Sequence, residues 1–183
     1  MANHRCFTRN IYTCCYPTSD LFVEIKPLYL ASSVVKIGPW GRKGYRPVES
    51  FDIAVAPLRL ESITVYHGDV VDGLAFSYRD REKQPHTAGP WGGTGGQVTT
   101  IELRASEFVT EVHGKHGSYY GHDGIASLTL VTNLQTHGPF GGCSTSGWER
   151  FSVPVKNNAS IVGFFVHTGN SYLSAIGVYV KPF

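Results

Sequence analysis

From residue 34 onward the chain is built of short alternating runs. Leu74-Ala75-Phe76-Ser77-Tyr78 alternates large and small side chains, and Ser127-Leu128-Thr129-Leu130-Val131-Thr132 alternates polar and apolar ones. Phe151-Ser152-Val153-Pro154-Val155 puts three apolar side chains on one face. A period of two residues belongs to a strand with one face buried. Further runs at 62–66, 99–103, 161–165 and 175–180 are bounded by Gly, Asn or Asp, which break strands and make turns. Helical spacing never persists, so the pattern predicts an all-β protein.

One tetrad punctuates these runs three times, as Gly38-Pro39-Trp40-Gly41, Gly89-Pro90-Trp91-Gly92 and Gly138-Pro139-Phe140-Gly141, at spacings of 51 and 49 residues. Proline has no amide hydrogen and glycine is entropically costly in a helix, so each copy is expected to mark a loop at the same place in a repeated unit. A period near 50 residues implies three similar modules. With about four strands each, they would form three small antiparallel sheets that can cover their apolar faces only with one another, giving a closed, threefold-symmetric β architecture. Each tetrad opens a glycine-rich stretch in which the lack of Cβ atoms lets a ligand approach backbone amides. Three loops of one kind suggest a binding protein before an enzyme.

Composition sharpens this picture. The 183 residues include 21 Gly, 10 Pro, 10 Tyr and 10 Phe but a single Met, a balance that favours strands and tight turns. Net charge is +2 with no dense Lys/Arg run, so no electrostatic footprint for nucleic acid is expected. The absence of an apolar run of about 18 residues or of a secretory pattern at the N-terminus leads to the expectation of no membrane span and a cytoplasmic location. Cys6, Cys14, Cys15 and Cys143 do not form a disulfide framework and are read as free thiols. Residues 1–33 lie outside the repeat and are read as an N-terminal extension, partly disordered and dispensable for folding, ahead of a single domain at 34–183.

The second loop of each repeat is where chemistry would sit: Gly68-Asp69-Val70-Val71-Asp72, the stretch 114–123, and Gly169-Asn170-Ser171-Tyr172-Leu173-Ser174 ahead of Ala175-Ile176-Gly177. With these residues the chain resembles a known family. VVKIGPWG, GDVVDGLAFSY with GPWGGTGG, and IVGFFVHTGNSYLSAIGVYVKP, in that order, are similar to the jacalin-related lectins, in particular their mannose-binding branch typical of monocot plants. The resemblance spans 34–183. It implies a β-prism of three four-stranded Greek-key sheets, sugar sites among the loops at one end, no metal and no cofactor, and mannose- or glucose-type glycans or glycoproteins as partners. Members of the family often pair through outer strands, so a homodimer is within its repertoire.

In the family's principal site a glycine-rich N-terminal loop faces a C-terminal loop whose Asp precedes Ala-Ile-Gly. The carboxylate accepts from vicinal sugar hydroxyls while backbone amides donate to the sugar oxygens. Here Tyr45 stands where the last glycine of the first loop is expected, Arg42 replaces another glycine, and Ser174 stands at the Asp. Ser171, Tyr172 and Leu173 precede it in a loop one residue longer than usual. The first site is therefore read as eroded. A second site in this branch combines a Gly-Asp-Val-Val-Asp loop with a neighbouring Gly-Gly loop, and both are present here. The resemblance implies that Asp72 accepts from the O4 and O6 hydroxyls. It further implies that the Asp69 and Val70 amides donate to O5 and O6, and that Gly96, with Gly95 beside it, donates to O3. In the alternative reading, Gly68-Asp69 merely turns the chain and Asp72 caps the turn.

Other constellations carry less. Tyr119, Tyr120 and His122 could extend a site towards a larger glycan, because an aromatic ring packs on the apolar face of a pyranose. His113, His116, His122 and Asp123 match no zinc spacing, and the glycines between them argue against rigid ligation. No G-x-S-x-G nucleophile motif occurs, and Asp69 with Asp72 belongs to a turn rather than to a catalytic pair, so no enzyme is expected. The rival of another class is a protein-interaction module on a β-prism scaffold, with little or no sugar binding.

Overall fold

The computed structural model describes residues 33–41, 48–142, 147–156, 158–169 and 172–183, so Tyr45, Ser171 and residues 1–32 lie outside the described residues. Twelve strands make up the described chain: β1 (Val35–Gly41), β2 (Glu49–Phe51), β3 (Arg59–His67), β4 (Val71–Arg79), β5 (Pro85–Gly92), β6 (Gln97–Glu102), β7 (Val109–Tyr119), β8 (His122–Thr132), β9 (Thr136–Gly141), β10 (Glu149–Pro154), β11 (Ala159–Gly169) and β12 (Tyr172–Pro182). All pair antiparallel, and every run singled out by its alternation lies wholly or largely within one of them.

The strands form three four-stranded units of one topology. The second unit has the order β5-β4-β3-β6, and the third has β9-β8-β7-β10. In both, three hairpin-connected strands are followed by a fourth that returns beside the first, which is a Greek key. The first unit, β1-β12-β11 with β2 on β11, has the same order, but the chain ends divide it. Its inner hairpin is C-terminal and its outer strands are N-terminal. The first and third units are continuous through one ladder pair, Ile161 with Val109.

The tetrads correct one expectation: they lie within β1, β5 and β9, at bulges, and not in loops. The register shifts between Ile37 and Trp40, opposite Leu74/Phe76, and opposite Leu128/Leu130. Gly38, Gly89 and Gly138 take φ of +103°, +92° and +100°, each ahead of a cis proline. All three strands are outer strands, where a residue without an N–H leaves no ladder bond unmade, and the positive φ of the bulge suits glycine.

The bulge turns each tetrad aromatic onto the next unit. Trp40 stacks on Phe151 of the third unit at 5.8 Å, Trp91 on Phe51 of the first at 6.0 Å, and Phe140 lies 5.2 Å from the His67 ring of the second. At the centre, Phe164 meets Phe76 edge to face at 5.4 Å, and Phe76 meets Trp91 at 5.5 Å. The repeated aromatic is thus the piece with which each sheet closes on its neighbour.

One buried carboxylate fastens the turn between β6 and β7 to the β8–β9 hairpin. Glu107 is 1% exposed and accepts from the Thr132 hydroxyl at 2.8 Å and the Arg104 amide at 3.3 Å, with the His137 ring 3.7 Å away. Burial pushes its pKa up, but the bonds from Thr132, Arg104 and Gln135, with the His137 ring close by, outweigh this and hold it below the ordinary 4.5. A carboxylate with a lowered pKa stabilises the fold above its unfolded value and loses that contribution as pH falls. Glu107→Gln is expected to cost about 1–3 kcal/mol at pH 7, with the gap to wild type closing below about pH 4 in denaturant titrations. A gap independent of pH would refute the charged role.

Candidate functional site

The symmetry of the prism identifies equivalent positions without reference to any relative. Gly41, Gly92 and Gly141 end the outer strands with φ of +113°, +87° and +76°. They pair with Ala175, Gly73 and Ser127 respectively. A Cβ on these glycines would meet the carbonyl oxygens of Ser174, Asp72 and Ala126 at 2.2, 2.4 and 2.4 Å. Ser174, Asp72 and Ala126 therefore occupy one position in the three units, and only the second unit has a carboxylate there.

The local fold presents that carboxylate. Val70 and Val71 are 2% and 0% exposed, so the two apolar residues of Gly-Asp-Val-Val-Asp pin the turn to the core and leave Asp69 and Asp72 outward. The turn is closed by the Gly68 amide donating to the Val70 carbonyl at 2.9 Å, and the Gly93 amide donates to the Asp72 carbonyl at 2.9 Å. No donor among the described residues reaches the Asp72 side chain, so it does not cap the turn. Burial pushes its pKa up and the Asp69 charge adds to this, against an opposing contribution from His67. Such a carboxylate lacks a partner and gains from one.

The neighbouring glycines complete the arrangement. Gly96 has φ +72°, and a Cβ there would lie 2.5 Å from the His67 carbonyl and 3.1 Å from Asp72 Oδ2. A side chain at this position would be strained and would collide with the loop, so the backbone beside Asp72 stays bare. Gly95 faces open space, with nothing within 4 Å of its Cβ position. The amides of Asp69 and Val70 belong to the turn, between the ends of β3 and β4. All five residues expected at the second site thus share one end of the second unit. A cleft of about 530 Å³ opens there, lined by His67, Gly68, Asp69, Gly96, Gln97, Pro139 and Gly141.

Pro139 and Gly141 come from the third unit and were not anticipated, nor was the clamp on Asp69. The Gly142 amide donates to the Asp69 carbonyl at 3.1 Å, and the Tyr119 hydroxyl donates to Asp69 Oδ2 at 3.0 Å. Donating to a carboxylate pushes the Tyr119 phenol up to about 12. Tyr119 also meets Tyr120 at 4.7 Å and Tyr172 at 5.6 Å, both edge to face, and Tyr120 is 87% exposed. The tyrosines therefore stand between the second-site turn and the first-site hairpin. The only available signal for this is the threefold repeat itself, which sets each unit's glycine stretch against its neighbour's hairpin.

The first site differs. Leu173 and Ser174 are 0% and 1% exposed, and the Ser174 hydroxyl is buried with no partner among the described residues. Neither side chain is presented to a ligand, whereas Tyr172 is half-buried against Tyr119.

The cleft thus sets a bare glycine backbone beside a carboxylate with no hydrogen-bond donor of its own among the described residues, at the end of a three-unit prism. The Jacalin-like lectin domain family matches residues 37–179. This chain belongs to the jacalin-related lectin family. Horcolin from Hordeum vulgare is 40% identical over 152 residues, covering 82% of this chain and 99% of Horcolin. The mannose/glucose-specific lectin of Parkia pendula is 30% identical over 172 residues, which is 91% of this chain but 35% of that longer protein. Among solved structures, AcmJRL, a mannose binding jacalin related lectin from Ananas comosus, superposes with a TM-score of 0.72 at 34% identity, covering 82% of this chain and 99% of its own. AcmJRL shares the fold, and the family match at 37–179 falls on the repeated region, as the ordered motifs imply.

The Tyr119 clamp on Asp69 is open to a direct check. Tyr119→Phe keeps the ring contacts and removes only the bond to Asp69. It is expected to weaken sugar binding there about three- to tenfold, the worth of one solvent-exposed hydrogen bond at about 0.5–1.5 kcal/mol, while changing Tm by less than about 2 °C. Isothermal titration alongside a melting curve separates the two effects, and unchanged affinity would show that the turn needs no clamp.

Proposed function

We infer that this jacalin-related lectin binds mannose- or glucose-type glycans reversibly, without catalysis, through the second unit. Asp72 accepts from vicinal hydroxyls, the Asp69 and Val70 amides and Gly96 donate, and Gly95 leaves room for the ring. The observation that carries this reading is the threefold equivalence of Asp72, Ser174 and Ala126, in which only Asp72 offers a charged acceptor, half-buried and without a donor of its own. The specificity written into the names of the Parkia pendula and Ananas comosus lectins supports mannose as the first sugar to try. Titration of methyl mannoside followed by NMR tests it, with shifts expected at Asp69, Val70 and Gly96 and a dissociation constant near millimolar, worth about 4 kcal/mol.

The absence of a carboxylate from two of three equivalent positions favours a second reading, a protein-interaction module on a β-prism scaffold with little or no sugar binding. No methyl mannoside binding at about 50 mM, roughly fifty times the dissociation constant expected, would promote it.

Affinity should also depend on pH. The raised pKa of Asp72 means that its charged, accepting form begins to disappear at a pH above the ordinary aspartate value of 3.8. Binding is thus expected to be full at neutral pH and to fall as pH drops towards about 4, while Asp72→Asn shows a flat profile over the same range.

A further inference from the structure

The solvent face of the third unit carries a second recognition surface beside this cleft. In the ladder between β10 and β7, Arg150 pairs directly with Lys115 and Ser152 with His113, and across β7 and β8, Lys115 faces Ser127 and His113 faces Thr129. Directly opposed residues stand about 5 Å apart at Cβ on the same face, so two cations are held side by side, an arrangement that destabilises a sheet unless something sits between them. Neither cation has an acidic partner among the described residues. The acid in the same groove, Glu111, accepts from the Ser152 hydroxyl at 2.8 Å and lies at the far end, in the row of Pro154 and Val131.

These side chains line a groove of about 850 Å³, whose floor is opened by Gly114 and by the Gly138-Pro139 bulge. Gly114 cannot carry a side chain, since a Cβ would lie 2.0 Å from the Ser127 carbonyl oxygen. A guanidinium, an ammonium, an imidazole and the hydroxyls of Ser127 and Thr129 make a donor-rich surface suited to an oxyanion. Pro139 lines both this groove and the cleft beside Asp69 and Gly96, so the two adjoin at one proline.

We propose that the β7–β10 groove is an anion subsite that selects glycans bearing a sulfate, phosphate or carboxylate group near the sugar held at Asp72. The neutral part of this ligand rests on the glycan-binding reading above, whereas the anion subsite stands on its own geometry. The cleft sets the sugar class, and Arg150 and Lys115 set the preference for charge.

The test uses the full chain with inorganic sulfate, mannopentaose, and its sulfated and phosphorylated forms. Sulfate alone is expected to shift the NMR signals of His113, Lys115 and Arg150, and to do so less at 0.5 M salt, where charge attraction is screened. Sulfated or phosphorylated mannopentaose should bind at least tenfold more tightly than the neutral form. The double variant Lys115→Ala/Arg150→Ala should lose this advantage while keeping the affinity for neutral mannopentaose and its melting temperature. The ratio between sulfated and phosphorylated forms reveals which oxyanion the groove prefers. Sulfate shifts without neutral mannoside binding would sink the sugar reading and uphold the subsite. No sulfate shift, or an undiminished charge advantage in the double variant, overturns the subsite whatever becomes of the sugar site.

Discussion

Asp72→Ala is expected to reduce methyl mannoside binding by about 10- to 150-fold, which for a millimolar ligand means no detectable binding. The variant removes the acceptor for two sugar hydroxyls, and a hydrogen bond to a charged group is worth about 1.5–3 kcal/mol. Ser174→Ala, at the equivalent position of the first unit, is expected to leave affinity unchanged because its hydroxyl is buried and touches no partner among the described residues. Stability separates a binding role from a structural one. The raised pKa of Asp72 means that its charge sits less comfortably in the fold than in the unfolded chain, so its stabilising contribution belongs to low pH and is lost as pH rises. Removing it should therefore leave Tm at pH 7 unchanged or slightly higher. Binding lost together with a large fall in Tm would make Asp72 a turn residue, and binding lost in Ser174→Ala but kept in Asp72→Ala would move the site to the first unit.

The largest effect on stability should come from Phe164→Ala. Phe164 is 0% exposed and lies on β11 of the first unit, edge to face with Phe76 of the second, which in turn meets Trp91. Truncating a buried aromatic costs the transfer of its side chain plus the cavity it leaves, about 3–5 kcal/mol. For a domain of this size that lowers Tm by on the order of 10 °C. Phe164→Leu, which refills much of the space, should cost about 1–2 kcal/mol. The residue lies in the core, so the folded fraction of either variant should bind mannoside with wild-type affinity. A Tm shift below about 3 °C would mean that the units are held together elsewhere, for instance by Trp40 on Phe151.

The sequence determined the strands, because alternation of apolar and polar residues is a local property that burial of one face enforces. It determined the threefold repeat, since Gly-Pro-aromatic-Gly recurs at nearly equal spacing, and it carried Asp72 and Gly96, the components of the site proposed above. It did not reveal that the tetrads are bulges inside outer strands, because the same residues suit a loop and a bulge, and only the ladder register distinguishes them. Nor could it reveal that β1 and β2 complete the sheet of β11 and β12, a closure made between the two ends of the chain. A serine at 174 was legible in the sequence, but the burial of its hydroxyl without a partner among the described residues comes from packing. The tertiary structure alone brings Tyr119 onto Asp69, 50 residues away. It also sets Arg150 opposite Lys115, and Pro139 between cleft and groove. Contacts between units depend on how three sheets close around one core, and neither periodicity nor spacing along a chain encodes which loop will face which.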